Sequence, residues 1–134
     1  MKKTILVADV SETHPRYRTI LGDADLHFVT SLDEAVRRVD ASAYHLIVVG
    51  VGFDDSRMFD LLRHVRYGGG RNQDTPVACV RSGGTLPISV RALEVAAKAL
   101  RCDCMIDLAA HADDAAGNEA VRRIVYDLME GKTT

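Results

Sequence analysis

Residues 44–52, YHLIVVGVG, decide how the rest of this sequence is interpreted. The unbroken apolar run 46–49 ends at Gly50 and is soon followed by the helical pattern FDDSRMFDLLRHVR, residues 53–66. A short apolar run without polar alternation is typical of a strand buried on both faces, in the middle of a parallel sheet. Ligands and chemistry in such sheets gather beyond the carboxyl ends of the strands. Gly50 stands at that edge and carries no functional group.

Length and composition predict one domain with a substantial hydrophobic core. The chain has 134 residues, of which 47% are apolar, and we expect order over about 3–130. A formal net charge of −2 gives no electrostatic basis for a nucleic-acid partner. The N-terminal apolar run is broken by Asp9 and is too short for a signal peptide. No apolar stretch approaches the ~20 residues that span a membrane, so we expect a cytoplasmic protein without a membrane partner.

Strand-like and helical segments alternate along the whole sequence. The other predicted strands are 4–9, 25–30, 76–80 and 102–106, and a segment of helical periodicity follows each strand. Five strands and five helices with short connections predict a parallel sheet covered on both faces. The expected fold is an α/β, flavodoxin-like three-layer sandwich with strand order 2-1-3-4-5. Asp9 and Gly50 then face one crevice, between the first and third strands.

Three expectations concern side chains on the helices. Asp54 and Asp55 are expected to cap the third helix. The charged group Arg63, His64, Arg66 and Arg71 is expected to form a solvated helix face. The fourth helix, which we expect to begin at Pro87, is predicted to turn one apolar stripe inward, formed by Ile88, Ala92, Val95, Ala96, Ala99 and Leu100.

Four strand segments carry a family resemblance. ILVADV (5–10), HLIVVG (45–50), TPVACVRSGG (75–84) and CDCMID (102–107) resemble the strands of response-regulator receiver domains in bacterial two-component signalling. The resemblance extends over essentially the whole of 1–134, which we interpret as a single receiver-like domain. It implies that signalling residues stand at the carboxyl ends of the first, third, fourth and fifth strands.

The sequence departs from the family pattern at nearly every one of those positions. Asp9 matches the first residue of an acidic pair, but Val10 stands where the second, metal-coordinating acid belongs. Gly50 stands at the position of the phospho-accepting aspartate. Arg81 replaces the hydroxyl residue, and Asp107 replaces the lysine.

These replacements remove the chemistry of aspartyl phosphorylation. The reaction needs a carboxylate nucleophile and a divalent cation held by oxygen ligands. Glycine supplies no nucleophile and valine supplies no ligand. We therefore predict a degenerate pseudo-receiver without catalytic residues, metal or cofactor, and not an enzyme.

Two other uses of the same edge follow from its residues. Arg81 is expected to form an internal ion pair with Asp107 or Asp9, relieving the repulsion among the carboxylates. Alternatively, Asp9, Asp107 and one of the pair Asp54 and Asp55 hold a cation. The loop Arg81, Ser82, Gly83, Gly84 and Thr85 runs from a strand into a helix, so its amides and Arg81 offer a weak anion-binding signal.

The cysteines are interpreted as small apolar core residues. Cys79, Cys102 and Cys104 fall in strand-like segments, where a free cysteine behaves as a hydrophobe. A metal site is the alternative, but no fourth ligand is obvious.

The resulting functional prediction is a stand-alone, phosphorylation-independent receiver that acts by protein–protein interaction in a two-component or phosphorelay pathway. The expected partner is a signalling protein: a histidine kinase, a phosphotransfer protein or a regulator. The resemblance implies contact, or homodimerisation, through helix 4, strand 5 and helix 5, which include residues 91–100 and 113–130. The alternative is a module that binds a small anionic ligand or nucleotide at the carboxyl edge of the sheet.

Overall fold

The parallel sheet predicted from the apolar runs is present in the computed structural model, which describes residues 2–83 and 89–132. Its five strands are ordered β2-β1-β3-β4-β5, so the predicted flavodoxin-like topology is confirmed. Every neighbouring pair is parallel. The strands are β1 (Thr4–Ala8), β2 (Asp25–Val29), β3 (Leu46–Gly50), β4 (Val77–Arg81) and β5 (Cys104–Asp107).

Helices follow the strands and cover both faces of the sheet. One buried layer contains residues of α2, α3 and α4, and the layer on the opposite face of the sheet contains residues of α1 and α5. The strands β1, β3 and β4 contribute side chains to both layers. β3 is buried at every position, as its uninterrupted apolar run predicts. The helices are α1 (His14–Leu21), α2 (Leu32–Ala41), α3 (Met58–Tyr67), α4 (Val90–Ala99) and α5 (Ala115–Met129). Within the described residues, no helix has the length and apolarity needed to cross a membrane.

Side-chain caps fix three of the helix starts within the described residues. Ser89 accepts a hydrogen bond from the backbone N–H of Ala92 and caps α4. Ser31 accepts a hydrogen bond from the backbone N–H of Glu34 and caps α2. Asp114 does the same for α5 through Gly117. The prediction that Asp54 and Asp55 cap the third helix is wrong. Asp54 Oδ2 accepts instead from the backbone N–H of Leu32, 2.7 Å away, at the start of α2.

The inward stripe of α4 also differs from the prediction. Leu93 and Ala97 are buried, whereas Val95 is 62% exposed and Ala92 and Ala99 are exposed. The segment holds many small apolar residues on every side, so its periodicity fits more than one rotation about the helix axis. Leu93, the largest buried side chain of the helix, belongs to the core layer, where the burial of its large apolar side chain contributes most to stability. The predicted start at Pro87 and the predicted inward position of Ile88 lie outside the described residues.

Arg66 is the exception to the predicted solvated face of α3. Its side chain is buried, and its guanidinium donates to the backbone oxygens of Arg101, Gln73 and Thr75. Its fourth acceptor is Asp103 Oδ2, at 2.8 Å, which also accepts from the N–H of Val77. Arg66 therefore joins the end of α3 to the starts of β4 and β5. A guanidinium is suited to this position because it presents five donors in a fixed plane.

Candidate crevice at the carboxyl edge of the sheet

Asp9 lies directly after β1, at the switch point of the sheet, and is buried. Its Oδ2 accepts a 2.7 Å hydrogen bond from the Tyr17 hydroxyl, and its Oδ1 accepts from the backbone N–H of Val10 at 2.8 Å. His14 Nε2 lies 3.3 Å from the backbone oxygen of Asp9. Within the described residues, no lysine or arginine forms an ion pair with Asp9. Tyr17, from the inward stripe of α1, therefore holds the carboxylate in place.

Gly50 lies beneath this carboxylate. A Cβ atom built on Gly50 would overlap Oδ1, Cγ and Oδ2 of Asp9. The Asp9 side chain therefore fills the space through which any side chain at position 50 would leave the strand. The absence of a side chain at position 50 is a packing requirement of the crevice as it stands.

Burial governs the protonation of Asp9 and Tyr17. Loss of solvent raises the pKa of Asp9 above its ordinary value, although the hydrogen bonds from Tyr17 and Val10 oppose that shift. Burial also raises the pKa of Tyr17 well above its ordinary value, and the neighbouring Asp9 carboxylate adds to the effect. The Tyr17 hydroxyl thus stays protonated and donates to Asp9.

Arg81 and Asp107 meet at the ends of the adjacent strands β4 and β5. They are register partners, and Arg81 Nη2 lies 3.2 Å from Asp107 Oδ2. The structure therefore brings together two of the three residues considered for an internal ion pair, while Asp9 is bound by Tyr17 instead. Arg81 Nε and Asp107 Oδ1 are buried and have no hydrogen-bond partner among the described residues. Among the described residues, Arg81 thus contacts Asp107 through Oδ2 alone.

The two acidic residues beyond the end of β3 line an open depression. Asp54 and Asp55 border a pocket of about 430 Å³ together with Val10 and Glu12. Asp54, Asp55 and Ser56 have φ angles of 42°, 55° and 68°, which place three consecutive L-residues in the left-handed region. Within the described residues, no group of three or more histidine, cysteine, aspartate or glutamate side chains is arranged to hold a metal ion.

The proposed anion-binding loop is described only at its start. Arg81 ends β4, Ser82 is exposed, and Gly83 has a φ of +116°. Gly84 and Thr85 lie outside the described residues. Arg81 is already engaged by Asp107, which would compete with an incoming anion for the guanidinium.

The solved structures that match this fold include response regulators and receiver domains. The chain matches a response regulator from Hahella chejuensis with a TM-score of 0.75 and 20% identity, over 96% of this chain and 95% of that one. It matches a signal receiver domain from Clostridium thermocellum with a TM-score of 0.74 and 16% identity, over 97% of this chain and 99% of that one. The protein thus has the fold of response-regulator receiver domains.

A third match is a receiver domain described with a bound metal ion. It is the receiver domain of a sensor histidine kinase from Pseudomonas aeruginosa, described with a magnesium ion in its active-site cleft, at a TM-score of 0.68 and 11% identity over 97% of this chain and 99% of that one. No protein-family model matches the sequence, and a search of curated proteins found no significant match. At these identities the similarity establishes the fold alone, so the crevice residues carry the functional argument.

Sequence reasoning missed the role of Tyr17. Helical periodicity places Tyr17 on the inward face of α1, but it does not identify the hydroxyl as the donor to Asp9. The available signal was a phenol predicted to be buried near the end of β1, because a buried hydroxyl needs a hydrogen-bond partner.

Proposed function

We propose that this protein is a receiver-like interaction module that works without aspartyl phosphorylation. The observation that carries the proposal is the overlap between the Asp9 carboxylate and any side chain at position 50. A phospho-accepting carboxylate has no room there while Tyr17 holds Asp9. At the same edge, the Arg81–Asp107 ion pair links the ends of β4 and β5. The crevice is thus fixed by its own residues rather than by a phosphoryl group and a cation.

The proposed contact surface is the outer face of α4. Val95 is 62% exposed there, and Ala92 and Ala99 beside it are exposed as well. These residues form a small apolar surface on the helix that the receiver resemblance associates with signalling contacts. The partner class we propose is a signalling protein of a two-component pathway, such as a histidine kinase, a phosphotransfer protein or a regulator. Homodimerisation through α4, β5 and α5 is the other contact that this surface would support.

Affinity capture with surface variants tests this function. Immobilised protein is incubated with cytosol of the source cells, and the captured proteins are identified by mass spectrometry. Val95→Glu is expected to abolish the capture of a two-component protein, because it places a charge in the apolar surface. Tyr67→Glu is the matched control, since Tyr67 is 60% exposed at the end of α3 and should leave capture unchanged.

Three results would contradict the proposal. One is capture that is unaffected by Val95→Glu, and another is capture that appears only after treatment with acetyl phosphate and magnesium. The third is a thermal shift on adding a nucleotide or a cyclic nucleotide, lost in Arg81→Ala, which would favour the small-anion module. Loss of a dimer in Val95→Glu by analytical ultracentrifugation would instead identify a second copy of the chain as the partner.

A further inference from the structure

Two thiols meet between β4 and the segment that precedes β5. The Sγ atoms of Cys79 and Cys102 are 2.9 Å apart, and both cysteines are free. The sulfur atoms of a disulfide lie about 2.05 Å apart, so these two need to approach by only about 0.9 Å. Cys79 lies within β4, and Cys102 lies two residues before β5. The two segments are held side by side, since the N–H of Asp103 donates to the oxygen of Val77.

The two thiols differ in access. Cys79 is fully buried, whereas Cys102 is half-buried and lines an open pocket of about 300 Å³. Glu94 and Lys98, on α4, line the same pocket. A small oxidant therefore reaches Cys102 first, while Cys79 lies behind it, ready to react with an oxidised Cys102.

Cys104 belongs to the opposite side of the sheet. It packs against the layer formed by α1 and α5, whereas Cys79 and Cys102 lie in the layer formed by α2, α3 and α4. The strand register agrees, because Cys79 is paired with Met105 and Cys104 is paired with Ala78. Alternate residues of a strand point to opposite faces. Of the three cysteines, only Cys79 and Cys102 therefore lie on the same side of the sheet.

The pKa values of the two thiols are shifted in opposite directions. The hydrogen bond between the two thiols lowers the pKa of Cys102. The same bond, together with burial, raises the pKa of Cys79 far above its ordinary value. The thiolate is the reactive form of cysteine, so the accessible sulfur is also the better nucleophile.

We propose that Cys102 is an oxidation site for hydrogen peroxide, and that the product is an intramolecular disulfide with Cys79. The Cys102 thiolate attacks one peroxide oxygen, the O–O bond breaks, and the departing hydroxide takes a proton and leaves as water. The Cys79 sulfur then attacks the sulfenic Cys102 sulfur. The S–O bond breaks as the S–S bond forms, and the hydroxide leaves as a second water with the proton of Cys79. Two thiols and one peroxide yield one disulfide and two waters.

The disulfide would fix the end of α4 to the sheet. The N–H of Cys102 donates to the oxygen of Ala97 and the N–H of Arg101 donates to that of Lys98. Arg101 has a φ of +64°. This pattern is a Schellman motif, in which Cys102 closes the last turn of the helix. A covalent bond to β4 would therefore slow amide hydrogen exchange at the C-terminal turn of α4.

Intact mass spectrometry of the peroxide-treated protein tests the proposal. The expected product has lost two hydrogen atoms and regains them on treatment with dithiothreitol. Trypsin should release residues 72–81 joined to 102–122, and further cleavage before Asp103 separates Cys102 from Cys104. Cys104→Ser should form the same cross-link, and the partly exposed substitution Cys102→Ser should abolish it. Cys79→Ala should stop at a sulfenic acid on Cys102 that dimedone traps.

The competing outcomes all overturn the proposal. They are an unmodified protein, a Cys102–Cys104 disulfide, a cross-linked dimer, and a stable sulfinic acid on Cys102 while Cys79 is intact. The Cys102–Cys104 disulfide has the same intact mass as the predicted product, but it leaves tryptic peptides 72–81 and 102–122 unlinked. The intact mass distinguishes the other outcomes. The test uses no partner protein and no phosphate, so its result is independent of the proposed interaction function.

Discussion

The carboxylate of Asp9 occupies the space into which a side chain at position 50 would project. The Tyr17 hydroxyl and the Val10 N–H hold that carboxylate in place. Gly50 and Asp9 are thus two parts of one packed unit at the carboxyl edge of β1 and β3. The relationship predicts that substitutions at the two positions are coupled energetically.

Gly50→Ala should destabilise the protein by about 1–3 kcal/mol, the usual cost of adding a methyl group to a filled site. The cost should fall below about 0.5 kcal/mol when Asp9 is already alanine, because the overlapping atoms are gone. Urea unfolding of the four proteins of this double-mutant cycle measures the coupling.

Gly52→Ala is the matched control for that cycle. A Cβ at Gly52 meets no described atom within 4 Å, so this methyl group should cost little in either background. Equal costs of Gly50→Ala with and without Asp9 would show that the carboxylate does not fill the space.

Replacing Asp9 by asparagine should change how stability depends on pH. Burial raises the pKa of Asp9 in the folded state above the value of about 3.9 in the unfolded chain. The folded state therefore keeps the Asp9 proton up to a higher pH than the unfolded chain does. Ionisation of the buried carboxylate then lowers the stability of the fold as pH rises from about 3.9 through the folded pKa. Asp9→Asn removes that cost, so the stability of the variant relative to the wild type should increase as pH rises through this range. Urea unfolding at a series of pH values measures the difference.

Asp23 supplies a control of opposite sign. The two terminal nitrogens of the Arg122 guanidinium each donate to one oxygen of Asp23 at 2.6 Å, and these hydrogen bonds hold the pKa of Asp23 well below its usual range. Its contribution is present above about pH 3.9 and is lost as pH falls through the folded pKa. Asp23→Asn should therefore lose stability at neutral pH and approach the wild type on acidification. Parallel pH profiles for the two variants would contradict both assignments.

Arg66→Met should cost about 3–5 kcal/mol, because it leaves the Asp103 carboxylate and three backbone oxygens without their buried donor. Arg63→Met, on the same helix, should cost less than about 1 kcal/mol, since its ion pair with Asp60 is exposed. Chemical denaturation of the two variants measures the difference. Similar costs would mean that Arg66 stabilises the protein only as a surface charge.

Arg81 and Asp107 should show a favourable coupling of about 1 kcal/mol in a double-mutant cycle with alanine. The pair is partly buried, so about 0.5 M salt should weaken it only in part. Denaturant unfolding in low and high salt measures both effects. Zero coupling, together with unchanged partner capture by Arg81→Ala, would show that the ion pair neither stabilises the crevice nor supports partner binding.

The fold could be predicted because its signals are local and redundant. The apolar runs ending near Asp9, Gly50 and Arg81 each indicate a buried parallel strand, and short connections then restrict the topology. The rotation of α4 was not predictable, because alanine and valine occur on several of its faces and only packing selects Leu93. Arg66 was also missed, since a charged residue among charged neighbours carries no sign that four acceptors surround it.

The candidate site could be predicted in position but not in side-chain geometry. The sequence places Asp9 and Gly50 at one edge, yet it does not specify the rotamer that sends the carboxylate over the glycine. That rotamer depends on Tyr17, whose hydroxyl approaches from a different element. Likewise, the closeness of Cys79 and Cys102 depends on how the chain enters β5.

Intact mass spectrometry after incubation with acetyl phosphate and magnesium tests the central claim most directly. The wild-type protein should keep its unmodified mass, because position 50 has no carboxylate and Asp9 is held by Tyr17 and Val10. A receiver domain with an intact acceptor aspartate, treated in parallel, serves as the positive control. A stoichiometric, acid-labile phosphoadduct on this protein would contradict the account.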